Sequence, residues 1–312
     1  IESPNGNEIL LIGSSVEIRW GSSGSVSDVH IEYTNDNGSN WTDISTSTAN
    51  DGAFQWTVPG PASADCLIRI SDASDSSISD SSDNRFTVAT HLPPVISLNR
   101  SRLSFASNRS VNTQNQKLII SNSGAGALNW TLSSSPGWVS CDPMIGSNTS
   151  TVTVTVDPVG LAAGIHTGDL TFSDPNASNS PQTVQVRFRV YNNGTNTPPF
   201  GSFDTPIHGT TVNSSIPVSG WALDDIEVQH VKIFRDPVTG EATHPNGYVY
   251  IGDAIFIDDA RSDVDTLYPD HPLSYRGGWG FMMLTNFLPN SGNGSFVIRA
   301  IATDCEGHAV EL

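Results

Sequence analysis

Apolar residues in this chain return at every second position over short stretches, and nowhere do they hold a 3.6-residue period for long enough to make an amphipathic helix. Val16, Ile18 and Trp20 alternate with Glu17 and Arg19; Val29, Ile31 and Tyr33 alternate with His30 and Glu32; Phe54, Trp56 and Val58 alternate with Gln55 and Thr57. The pattern is cleaner further on, where Val152, Val154 and Val156 oppose Thr151, Thr153 and Thr155, and where Val184, Val186, Phe188 and Val190 oppose Gln185, Arg187 and Arg189. A period of two with one apolar and one polar face is the mark of half-buried antiparallel strands. Its return roughly every 10 to 15 residues, with turn residues between, is how β-sandwiches read. The composition agrees, with 42 Ser, 26 Thr and 27 Gly favouring strands and turns over helices.

The 312 residues are too many for one sandwich and are cut by two Pro-rich punctuations, His91–Pro94 and Asn192–Pro199. The expected architecture is all-β: three Ig/fibronectin-III-like antiparallel sandwiches in series over residues 1–90, 95–191 and 200–312. The third differs from a plain sandwich by a long middle, about 253–289, read as an insertion. The first residues, Ile1-Glu2-Ser3-Pro4, read as a strand already in progress, so the chain is expected to be a segment of something longer.

A net charge of −18, with Lys117 and Lys232 the only lysines, leaves no basic face to neutralise phosphates. Nucleic acid and anionic membranes are therefore expected to be poor partners. The longest apolar runs, about five to seven residues, fall far short of the roughly 20 needed to cross a bilayer as a helix. Of the three cysteines, Cys66 shares the inward face with Ile68 and Ile70, while Cys305 lies in a turn and is expected to be the more exposed thiol.

Each segment carries a recognisable series of short motifs. In the first, Ser3-Pro4-Asn5-Gly6, Glu17-Ile18-Arg19-Trp20, Tyr33-Thr34-Asn35-Asp36-Asn37-Gly38 and Cys66-Leu67-Ile68-Arg69-Ile70-Ser71-Asp72 resemble the Ser-Thr-rich GPI-anchored, yeast cell-wall-synthesis type of fibronectin-III-like domain. In the second, Leu103-Ser104-Phe105, Ile119-Ile120-Ser121-Asn122-Ser123-Gly124, Leu128-Asn129-Trp130, Gly137-Trp138-Val139-Ser140 and Pro158-Val159-Gly160-Leu161-Ala162-Ala163-Gly164 resemble a BACON domain. In the third, Phe203-Asp204-Thr205-Pro206, Val218-Ser219-Gly220-Trp221-Ala222-Leu223-Asp224-Asp225 and Ala302-Thr303-Asp304-Cys305-Glu306-Gly307-His308 resemble bacterial Ig-like repeats of large secreted proteins. These resemblances imply a secreted or cell-surface protein of bacterial type. The BACON resemblance also implies contact with carbohydrate or mucin. Ig-like repeats normally continue past the Asp-x-x-Gly turn into a last strand, which the stop at Leu312 leads one to expect missing or cut short.

No nucleophile elbow, zinc-protease helix, phosphate loop or dinucleotide fingerprint occurs, and the eight histidines lack metal-ligand spacing, so no catalytic residue is assigned. Two other chemistries have candidates. Asp224 and Asp225 end one inferred strand and Asp304 ends another, in loops that an Ig-like sandwich brings to one end, where their hard oxygens suit calcium. No other cofactor is implied. Trp279, flanked by glycines, lies with Tyr268 and Tyr275 in the middle of the third segment, where flat rings suit the apolar face of a sugar.

The expected function is a non-enzymatic extracellular stalk or assembly segment of a larger surface or secreted protein, whose partners are copies of itself or neighbouring surface proteins. Two alternatives stand beside it: a glycan-binding accessory region of a secreted hydrolase or protease, holding polysaccharide or mucin, and a fibre-forming subunit that assembles through an incomplete last sandwich.

Overall fold

The computed structural model describes residues 1–22, 25–192, 194 and 197–312, so part of the Asn192–Pro199 linker, at Asn193, Thr195 and Asn196, lies outside the described residues. The chain is nearly all β, as its alternation predicts. Contacts gather it into two compact units: residues 1–95 with the short segments 122–127 and 176–178, and the remainder through Leu312. The second and third sandwiches therefore fall largely into one unit.

In the first sandwich, strand Asp28–Thr34 sends Val29, Ile31 and Tyr33 inward and leaves Asp28 exposed. It sits between Ser63–Asp72 and Thr42–Ala49 in a sheet that continues through Phe86–Ala89 to a parallel edge strand, Ile9–Leu11. The facing ribbon pairs Ser15–Arg19 with Ala53–Thr57. Ile18 and Trp56 from the ribbon meet Ile31, Cys66, Ile68 and Phe86 in one core. The Trp56 and Tyr33 rings lie 5.1 Å apart.

The second sandwich sets a five-stranded sheet, ordered Arg102–Ser107, Gln182–Val190, Gly164–Ser173, Asn129–Ser134 and Ile145–Ser147, beside a four-stranded one, ordered Val139–Asp142, Ser150–Val156, Gln116–Asn122 and Ile96–Leu98. Its first sheet opens with a parallel pair, Arg102–Ser107 against Gln182–Val190, in register from Arg102↔Gln185 to Ser107↔Val190. Val152, Val154, Val184, Val186 and Phe188 are fully buried, as their alternation predicts.

The third sandwich is a single seven-stranded sheet that turns back on itself, in the order Phe200–Thr205, Ser215–Leu223, Gly278–Leu284, Val249–Phe256, Val228–Arg235, Ile298–Asp304 and Ala309–Glu311. Strand Val249–Phe256 makes the corner. Val249 to Ala254 pair with Val228–Arg235, whereas Ile255 and Phe256 pair with Gly280 and Trp279. Before that change of partner the register shifts between Ile233, opposite Gly252, and Phe234, opposite Tyr250. A side chain at Gly252 would put a Cβ 2.5 Å from the Phe281 ring, so any larger residue there would have to displace that ring. Val218, Trp279 and Met283 from one half meet Val231, Ile233 and Ala302 from the other.

Two expectations about this domain change. Gly278–Leu284 lies inside the span read as an insertion, yet it is an interior strand of the sheet. Trp279, Phe281 and Met283 face the core, but the positions between them, Gly278, Gly280, Met282 and Leu284, carry no polar residue to contrast with that face. The excursion proper is the stretch 257–277, with one short helix, Ser262–Leu267, and a single 3-10 turn, Ser274–Arg276. The closing strand is also present: Ala309–Glu311 pairs with Ile298–Asp304 after the Asp304–Gly307 turn, and Leu312 packs against the core.

Candidate functional site

Strand Ser215–Leu223 ends in an aspartate-led turn. The backbone N–H groups of Ile226 and Glu227 donate to Asp224 Oδ2 at 2.8 and 2.9 Å, closing the turn on the Asp224 side chain. Asp224 is 2% exposed, and its Oδ1 is buried without a hydrogen-bond donor. Asp225 accepts the Thr197 N–H at 3.1 Å through Oδ2, and its Oδ1 is likewise buried without a donor. The two carboxyls lie within hydrogen-bonding reach of each other. Burial outweighs the turn N–H bonds and pushes the Asp224 carboxyl up to about 7, with the charges of Asp225 and Asp304 adding to the rise. Burial also raises Asp225.

Asp304 lies near enough to be felt by both, but its oxygens are differently engaged. Oδ1 accepts the N–H groups of Glu306 and His308 at 2.9 and 2.8 Å, and Oδ2 pairs with His308 Nδ1 at 2.7 Å. Its role in the structure is to hold the Asp304–Gly307 turn, and the bond to it raises the His308 imidazole's affinity for a proton. Candidate ligand atoms of Asp304, Glu306 and His308 fall within 4.8 Å of one another, as do those of His30, Glu32 and Asp43 on the first sandwich. In that second group Glu32 is already gripped by Arg69 at 2.8 and 2.9 Å.

The three aromatic candidates of the third segment are placed apart. Trp279 is 2% exposed and packs edge-on to Phe203 in the core. Tyr268 stands in a cluster with Phe200, Trp221 and His271, all ring centres 5.3 to 5.5 Å from its own. Tyr275 is capped by the Arg100 guanidinium, 3.5 Å above its ring, and burial pushes its hydroxyl up to about 12.

That cap belongs to an array the sequence reading missed, in which the 257–277 excursion docks on the second sandwich. Arg100 holds Asp259 by two bonds of 2.7 and 3.1 Å. Arg102 reaches the Asp265 carboxylate at 3.0 Å and its carbonyl at 2.9 Å. Arg187 donates to the Asp270 carbonyl at 3.1 Å, and Ser104 to that of Pro269 at 3.2 Å. The aspartate turn adds its own contacts: Thr113 Oγ1 donates to the Ile226 carbonyl at 2.9 Å, and the Gln114 N–H to Glu227 Oε2 at 2.7 Å. A signal was present in the sequence, since a chain with only 14 basic residues sets Arg100 and Arg102 side by side, while Asp258, Asp259, Asp263, Asp265 and Asp270 crowd the excursion.

Of the cysteines, Cys66 is fully buried beside the Tyr33 hydroxyl, 3.2 Å away. Cys305 is only half-buried, and burial together with the surrounding carboxylates, Asp224 first among them, pushes its thiol up to about 12.

Residues 95–189 match the family model described as the viral BACON domain, where the resemblance of the second segment had pointed to bacterial members. The match does not extend to residues 1–90 or 200–312. A search of curated protein sequences finds no match. Among solved structures, the chain is similar to the Clostridium thermocellum CbhA fibronectin(III)-like modules, at 17% identity and a TM-score of 0.24, over 61% of this chain and 93% of that one. It is similar to the protocadherin GammaB4 extracellular domain at 13% identity and a TM-score of 0.26, over 99% of this chain and 48% of that one. It is also similar to a Bacteroides ovatus GH5 xyloglucanase in complex with a XXXG heptasaccharide, at 19% identity and a TM-score of 0.26; there 31% of this chain aligns with 19% of the enzyme.

Proposed function

We propose that this chain is a non-catalytic structural segment of a larger secreted or cell-surface protein, in which the second and third sandwiches act together as one stiff strut. The observation that carries this reading is the docking of the 257–277 excursion. The least generic stretch of the chain is spent on a neighbouring sandwich through Arg100–Asp259, Arg102–Asp265 and the Arg100 stack on Tyr275. A stalk or assembly part gains from such bracing, because a hinge between sandwiches would otherwise absorb any load. Its partners in this reading are further copies or neighbouring surface proteins. The match of residues 95–189 to a BACON domain supports an extracellular setting.

A sugar-binding accessory role asks for an exposed aromatic platform. The burial of Trp279 and the capping of Tyr275 give it no such support.

The strut is tested by electron-electron distance measurement on the 312-residue chain, with spin labels at exposed Thr151 and Thr243. One narrow distance distribution is expected, broadening in Arg100→Ala. A broad distribution in the parent chain would refute the strut.

A further inference from the structure

The Asp224–Glu227 turn leaves two carboxylate oxygens, Asp224 Oδ1 and Asp225 Oδ1, buried without a hydrogen-bond donor, on side chains within reach of each other. Asp224 is 2% exposed; its Oδ2 is used by the turn, and its Oδ1 has no donor. Asp225 repeats the arrangement, with Oδ2 on the Thr197 N–H and Oδ1 unmatched. Among the described residues no Lys, Arg or His forms an ion pair with either carboxylate. A third carboxylate, Asp304, adds negative potential rather than relief. Two like charges buried in contact are stable only if something positive lies between them, a proton or a cation.

We propose that Asp224 and Asp225 jointly hold one divalent cation of calcium type, at the end of the third sandwich that meets the second. The unmatched donors are all carboxylate oxygens, which suit a hard cation. Calcium tolerates irregular geometry and fills its remaining positions with water or carbonyls. With two carboxylates as anchors the affinity belongs to the weak extracellular range, a Kd of roughly 10⁻⁴ to 10⁻³ M. Asp304 is not a ligand in this assignment, since its oxygens already serve the Asp304–Gly307 turn. The ion would stiffen the backbone whose Ile226 carbonyl and Glu227 side chain receive Thr113 and Gln114 of the second sandwich.

The test uses the full 312-residue chain, stripped with chelator and titrated with calcium chloride alone at neutral pH. A rise in Tm of several degrees at millimolar calcium is expected in the parent chain, and none in Asp225→Asn, whose amide oxygen still accepts the Thr197 N–H. In parallel, the ¹H–¹⁵N resonances of Ile226, Glu227 and Thr197, whose N–H groups bind these two carboxylates, should shift on adding calcium; this readout needs no variant. No calcium-dependent change in either measurement would overturn the proposal and leave a shared proton as what holds the pair. An equal Tm rise in Asp225→Asn, with those three amides unmoved, would overturn it by placing the ion elsewhere.

Discussion

The Arg100 guanidinium lies 3.5 Å above the Tyr275 ring while two of its nitrogens grip the Asp259 carboxylate. Stack and fork act together, and only arginine supplies both. Asp259 is largely exposed, so its charge is screened and most of the benefit resides in the stack. Arg100→Ala is expected to destabilise the unit formed by the second and third sandwiches by about 1–2 kcal/mol. Arg100→Lys should recover less than half, since an ammonium lacks the planar fork. Urea unfolding of the three proteins measures both.

Trp279 is expected to behave as a core residue. Trp279→Ala should cost about 3–5 kcal/mol by removing a buried indole from among Phe203 and the strands around it. Oligosaccharides added to the parent chain should leave its indole fluorescence unchanged. A stable variant together with a sugar-dependent signal would reverse this assignment.

The three thiols should be silent while the chain is folded. Cys66 is fully buried, and burial pushes Cys141 up to about 11 and Cys305 to about 12. At pH 8 the Cys141 thiolate is then about one part in a thousand. A disulfide reagent should titrate none of them quickly in buffer and all three in denaturant. Rapid modification of Cys305 in the folded chain would contradict the burial that half encloses it.

Acid should weaken the first and third sandwiches through identifiable carboxylates. The Arg235 guanidinium holds Glu241 down at about 2, and hydrogen bonds from Thr34 and Asn40 hold Asp36 at about 2. A carboxylate whose folded pKa lies below its unfolded one contributes fully above the unfolded value and loses that contribution as pH falls through the folded one. The window therefore runs from about 4.5 down to about 2 for Glu241 and from 3.8 to about 2 for Asp36. Glu241→Gln should lower stability at pH 7 and flatten its fall below pH 4.5. Carbon-detected NMR titration of the Glu241 and Asp36 carboxyls reads the midpoints directly.

The alternation of Val152–Val154–Val156 against Thr151–Thr153–Thr155 foretold which face is dry because a strand's side chains have only two directions. The same logic put Cys66 in the core beside Ile68. It failed at Gly278–Leu284, where Trp279, Phe281 and Met283 do alternate toward the core but Gly278, Gly280, Met282 and Leu284 between them supply no polar residue to mark the other face. The candidate site was legible in part. Asp224 and Asp225 stood out as paired acids at a strand end, but the engagement of Asp304 by its own turn depends on His308 four residues later and on backbone N–H groups that no composition reveals. Docking of Arg100 on Tyr275 joins residues 175 positions apart, a distance over which periodicity carries no information.

The second and last strands of the second sandwich lie side by side and run parallel, paired from Arg102↔Gln185 to Ser107↔Val190. Tension applied through the ends of that domain would pull these neighbours in opposite directions along their length. Their slanted, evenly spaced bonds would then be loaded in shear, all at once, instead of opening one after another as a zipper does. Ile9–Leu11 against Phe86–Ala89 repeats the arrangement in miniature in the first sandwich. Resistance to force is a matter of unfolding rate rather than equilibrium stability. A chain built on such pairs is suited to bearing a pull, with the longer of the two clasps as its stronger point.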